Sequence, residues 1–72
     1  MNVETFAAVR KLSGLTQRQL ADRLGVSQQM IGYIETRQRG LSESMQAKMY
    51  GEFGRDYIEQ VAQLAALTAP AK

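Results

Sequence analysis

Residues Thr16 to Glu35 read TQRQLADRLGVSQQMIGYIE, and their spacing decides the fold. Thr16 and Gln19 stand at the separation where a hydroxyl and an amide each satisfy the other residue's backbone N–H and open a helix. Leu20, Ala21 and Leu24 then fall on one helical face, with Gln17, Arg18, Asp22 and Arg23 on the others. Gly25 is free to take the left-handed conformation that stops this helix, and Ser27 is placed to cap a second. Behind that cap, Met30, Ile31 and Ile34 recur at helical spacing, while Gln28, Gln29, Gly32 and Tyr33 take the remaining positions. The pattern predicts two short helices set at a steep angle by a tight turn.

Working outward, Asn2 caps a first helix over residues 3–12, with Phe6 and Val9 turned inward beside Val3 and Ala7, and Ser13-Gly14 ends it. Downstream, residues 36–41 form a basic loop carrying Arg37, Arg39 and Gly40. Ser42 caps a fourth helix whose Met45 and Met49 face the core beside Tyr50 or Phe53, and both Gly51 and Gly54 are expected to break it. A fifth helix follows over residues 55–67, with Tyr57, Ile58, Val61, Leu64, Ala65 and Leu67 as its apolar set. The reading is an all-α, five-helix domain over residues 1–67, with residues 68–72, including Pro70, as a loose tail.

Seventy-two residues, 44% of them apolar, make one small domain near the lower limit for a self-supporting core, so association of copies would help. There are no cysteines, which excludes a disulfide framework and makes a reducing cytoplasm the expected setting. No apolar run approaches the roughly 18 residues of a membrane span, and no signal-peptide pattern opens the chain. Histidine is absent as well. With neither residue, the usual general bases, thiol nucleophiles and most metal sites are missing, so no catalysis, metal, cofactor or small-molecule ligand is expected.

Net charge is only +2, but it is unevenly placed. Residues 1–41 hold six basic side chains (Arg10, Lys11, Arg18, Arg23, Arg37, Arg39) against three acids, whereas residues 42–72 hold three against four. A basic excess confined to one half is what contact with phosphate needs; its plainer reading is a solvated surface.

Two short helices around a tight turn match the helix-turn-helix, in which the start of the second helix meets base edges in the major groove of DNA. Gln28 and Gln29 sit at that start. A glutamine amide carries a donor and an acceptor side by side, which fits adenine N6 and N7; the alternative is a tolerated solvent-facing residue. Tyr33, one turn beyond Gln29, would touch a thymine methyl or a phosphate, or merely cover the core edge. Gln17 and Arg18 lie in the first turn of their helix, where unpaired N–H groups favour an anion such as phosphate. Arg37 and Arg39 are loop cations suited to phosphate or the minor groove. Gly32, inside a helix, either permits close approach of the DNA backbone or has no special role.

The stretch LTQRQLADRLGVSQQMIGYIE, supported by Arg10 and by DYI at 56–58, resembles the lambdoid-phage repressor and Cro family, the 434 type most closely, over roughly residues 3–60. This is the broad class of five-helix, lambda-repressor-like regulators with a Cro/C1-type helix-turn-helix. The resemblance implies that Gln17 binds phosphate, that Gln28 and Gln29 read bases of an ACA-like half-site, and that Arg10 pairs with Glu35 beneath the reading helix. Two departures stand out. The 434 repressor has glutamine where Tyr33 stands, and Arg37 occupies the place of a glycine that usually ends the reading helix, so the loop is expected to differ.

The expected function is a Cro-like repressor, of phage or prophage type, that binds double-stranded palindromic DNA as a homodimer. Bases would be read by Gln28, Gln29 and Tyr33, and phosphates held by Gln17, Arg18, Ser27, Arg37 and Arg39. Tyr57, Ile58, Val61 and Leu64 are candidates for a dimer face; their alternative is attachment of the fifth helix to the core. Restriction–modification controllers and antitoxins share the motif and size, and a helical interaction module without DNA affinity is the competing class.

Overall fold

Four side-chain oxygens start the first four helices of this protein, described over residues 1–68 by a computed structural model. The helices are α1 (Val3–Leu12), α2 (Gln17–Leu24), α3 (Gln28–Glu35), α4 (Glu43–Phe53) and α5 (Arg55–Thr68), with no strand among the described residues. Asn2 accepts from the Thr5 N–H at 2.8 Å, Ser27 from Met30 at 3.1 Å and Ser42 from Met45 at 3.2 Å. Thr16 and Gln19 form a reciprocal capping box. Gly25, at φ 69°, ends α2 in the left-handed conformation that its missing Cβ makes easy. The expected loose tail falls largely on residues 69–72, outside the described residues, while Thr68 belongs to α5.

α2 packs on α3, α1 on both α3 and α5, and α4 on α2 and α5. The core at their centre joins Phe6 and Val9 of α1, Leu20, Ala21 and Leu24 of α2, Ile31 and Ile34 of α3, Met45 and Met49 of α4, and Ile58 and Val61 of α5. Thr5 is buried with them. One expectation fails here: Gly51 does not break α4 but lies inside it, and only Gly54 ends it, its N–H donating to the Tyr50 carbonyl at 2.9 Å. A glycine in an exposed helical turn costs only about 1 kcal/mol of propensity, too little to stop a helix anchored by two buried methionines.

The two alternatives left open for α5 divide between its residues. Ile58 and Val61 are each only 2% exposed and sit in the chain's own core, where they attach α5 to the other helices. Of the four candidates, Tyr57 and Leu64 keep exposed surface, joined by Leu67 on the same helix and Leu12 on α1. Tyr57 also stacks on Phe53, ring centroids 6.4 Å apart.

The tilt of α3 is fixed by a charged clamp. Arg10 donates to Glu35 through Nε at 2.6 Å and a terminal nitrogen at 2.9 Å, and its other terminal nitrogen donates to the Leu15 carbonyl at 2.9 Å. Gln17 Nε2 adds a bond to Glu35 at 3.1 Å. Burial pushes the Glu35 carboxyl up, but hydrogen bonds from Arg10 and Gln17 and the charge of Arg10 outweigh it, and its pKa ends below the ordinary carboxylate value.

The C-terminus of α3 is closed by two reversed bonds, Arg37 N–H to the Ile34 carbonyl at 3.1 Å and Gln38 N–H to the Tyr33 carbonyl at 2.8 Å. This is a Schellman ending, and it needs a left-handed residue at Arg37, whose φ is 65°. Arg37 thus takes the conformation a glycine would take; the departure from the family pattern appears as strain at this residue.

Two predictions follow from these contacts. Arg37→Gly relieves the left-handed strain, about 1–2 kcal/mol, at the loss of an exposed ion pair with Glu4 that contributes at most about 1 kcal/mol. Urea unfolding is expected to show a net gain of about 0.5–1 kcal/mol with unchanged m-value; a loss would mean that the arginine is not strained. Because the Glu35 pKa is lowered on folding, its contribution is present above pH 4.5 and fades as pH falls through the folded value. Glu35→Gln is expected to cost about 2 kcal/mol at neutral pH. The gap to the wild type should narrow on acidification; parallel curves would remove Glu35 from the acid response.

Candidate nucleic-acid interface

In α3, Ile31 and Ile34 are buried, Gln28 and Gln29 are exposed at its start, and the other four residues are half-buried. The cap on Ser27 satisfies the Met30 N–H, and the Ser27 carbonyl accepts from Ile31 at 3.4 Å. Among the described residues this leaves the Gln28 and Gln29 N–H groups without an intramolecular acceptor, pointing out of the positive end of a helix dipole. The Ser27 hydroxyl accepts in the cap, so its own hydrogen remains to donate.

α2 repeats the arrangement. Its capping box uses the N–H groups of Thr16 and Gln19, and those of Gln17 and Arg18 stay open among the described residues. Arg18 is exposed and enters no ion pair there. The Gln17 side chain points the other way: its amide nitrogen is bonded to Glu35, and its amide oxygen lies 3.7 Å from where a Cβ on Gly32 would stand. Gly32 therefore faces the start of α2, with room for a methyl group at ordinary contact distance. What Gln17 offers an anion is its backbone N–H, with its side chain holding α2 to the end of α3.

On the exposed face of α3, Gln29 Nε2 donates to the Tyr33 hydroxyl at 2.8 Å. The Arg39 guanidinium stands 5.9 Å from the centroid of the Tyr33 ring, within range of a cation–π contact. Gln29, Tyr33 and Arg39 are thus gathered into one chain of contacts, while Gln28 remains exposed beside them. Arg37 is not part of this group. It is ion-paired with Glu4 of α1 and borders the groove between α1 and α5.

Sequence reading placed Gln29 and Tyr33 on one face but missed the bond between them. The signal was available, since residues four apart on a helix are in reach of one another. The role of Gln17 in the clamp and the pairing of Arg37 with Glu4 had no such local signal, because both depend on how α1 lies across the other helices.

Among the described residues no helix is long and apolar enough to cross a membrane, and no acidic or other cluster is arranged to hold a metal ion. No curated protein and no solved structure gives a significant match to the chain. The family model for the helix-turn-helix matches residues 6–49, more than half of the chain and all of α2 and α3. With capped helices around a left-handed glycine and an exposed polar start to the second, the chain belongs to the helix-turn-helix family of DNA-binding regulators.

Proposed function

We infer that this regulator is a Cro-like repressor that binds a palindromic operator in double-stranded DNA as a cytoplasmic homodimer, with no catalytic role. The observation that carries the reading is the exposed start of α3. Two glutamines and two open N–H groups stand there, flanked by the open N–H groups of α2 and by Arg18 and Arg39. Gln28 and Gln29 suit base edges in the major groove, with Tyr33 beside them. The N–H groups of Gln17 and Arg18, the Ser27 hydroxyl, and the Arg18 and Arg39 guanidiniums suit phosphates. Arg37, paired with Glu4, would join them only by leaving that partner.

Support for the homodimer comes from an apolar groove of about 700 Å³ between α1 and α5, lined by Val3, Ala7, Ala8, Leu12, Val61 and Leu64. Leu12 and Leu64 are 60% and 54% exposed and border the same groove, which makes a contiguous apolar surface rather than scattered single residues. A palindromic operator would need the α3 helices of such a dimer to stand about 34 Å apart, one DNA turn. The same surface would serve a protein partner if the chain were an antitoxin or an interaction module.

Selection of bound duplexes from a random pool at near-physiological salt is expected to enrich an inverted repeat with half-sites about one turn apart. Enrichment without a repeat would argue against the homodimer, and no enrichment against the operator. On the selected site, Gln28→Ala should cost about 1–3 kcal/mol at a single base pair. Arg18→Ala should weaken all sequences alike and lower the salt slope by about 1. Interchanged patterns would refute the assignment of base and phosphate roles.

A further inference from the structure

The bond from Gln29 Nε2 to the Tyr33 hydroxyl, 2.8 Å long, joins two groups that are each able to donate or accept. An isolated glutamine on a reading helix is therefore ambiguous. With its oxygen and one amide hydrogen toward the groove it matches adenine, which donates from N6 and accepts at N7. Swung over, the same amide offers two hydrogens to the O6 and N7 acceptors of guanine. Once Nε2 is engaged by the tyrosine, the amide oxygen and the second amide hydrogen are left, and the adenine pattern is the one that remains.

The tyrosine is itself held. It is half-buried at the foot of the exposed face, its carbonyl accepts the N–H groups of Gln38 at 2.8 Å and Arg39 at 3.1 Å, and the Arg39 guanidinium lies over its ring. The hydroxyl that engages Gln29 thus stands on a half-buried ring with the Arg39 guanidinium of the following loop against it. Its own hydrogen, not used by Gln29, remains to donate outward.

We propose that Tyr33 is a positioning residue for Gln29, its hydroxyl fixing the amide so that the pair selects adenine and rejects guanine at one base pair of the half-site. The proposal deepens the DNA-reading function and rests on it. Tyr33 need not touch that base; it sets which polarity Gln29 presents to it.

The test is the adenine-to-guanine affinity ratio at the base pair that Gln29→Ala flattens, measured on the selected operator for wild type, Tyr33→Phe, Gln29→Ala and the double variant. Phenylalanine keeps the ring, so packing and the Arg39 contact persist, and an unchanged melting temperature verifies it. The wild type is expected to favour adenine by roughly tenfold or more. Tyr33→Phe should bring that ratio to within about threefold, and the double variant should match Gln29→Ala at this position. A Tyr33→Phe ratio equal to that of the wild type, a uniform loss on all sequences, or a change confined to a different base pair would each overturn the proposal while leaving DNA reading intact. A wild type with no site preference would overturn both.

Discussion

The contact on which the rest depends is the fork of Arg10 around the Glu35 carboxylate. One guanidinium ties the end of α1 to the last turn of α3 and, through the Leu15 carbonyl, to the loop that leads into α2. Gln17 adds the start of α2 to the same carboxylate. A carboxylate at the C-terminal end of a helix meets the negative end of its dipole, an unfavourable position. Arg10 reverses that by placing a cation there, and the half-hidden pair becomes a directional joint. Interdigitated apolar side chains resist both separation and rotation, and the clamp adds bonds of fixed direction to them. Together with the eleven buried hydrophobic residues among those described, this joint holds the eight-residue α3 in one orientation.

That orientation matters because α3 is divided between two tasks. An isolated helix of this length is marginal in water, and its first two residues, Gln28 and Gln29, are exposed and polar. Stability must come from its ends. Ser27 closes the first turn and the Schellman bonds close the last. The second closure places Arg37 in a conformation suited to glycine. Its guanidinium is thereby directed toward Glu4 and the α1–α5 groove, while Arg39, two residues on, returns to the exposed face of α3 over Tyr33.

The features legible from the sequence are those governed by local rules. Thr16 with Gln19, Gly25, Ser27 and Ser42 each announce a helix boundary through chemistry acting over three or four residues, and the structure bears out all of them. Gly51 misled because a propensity difference was read as a boundary, when two buried methionines on α4 outweigh it. The apolar set of α5 left its two alternatives open for a different reason. Tyr57, Ile58, Val61, Leu64 and Leu67 cover more than one face of a helix, and which stripe goes inward is decided by the turn at Gly54 and by where α1 and α4 lie. No periodicity within α5 contains that information. The same holds for Gln17, whose inward amide depends on a carboxylate 18 positions away.

A net charge of +2 bears on how such a surface would work. Long-range attraction to DNA scales with the basic excess, and here several cations are already committed: Arg10 to Glu35, Arg23 to Glu52 and Arg37 to Glu4. Affinity on the proposed reading then leans less on diffuse charge and more on donors that the backbone itself positions, the open N–H groups at the starts of α2 and α3. Those donors are held in place by caps and by the Arg10 clamp, so they lose little freedom on meeting a phosphate. They also reward only one docking register. A surface of this kind would bind random DNA weakly for its size and concentrate its discrimination in the few side chains, Gln28, Gln29 and Tyr33, that the fixed register brings to the base edges.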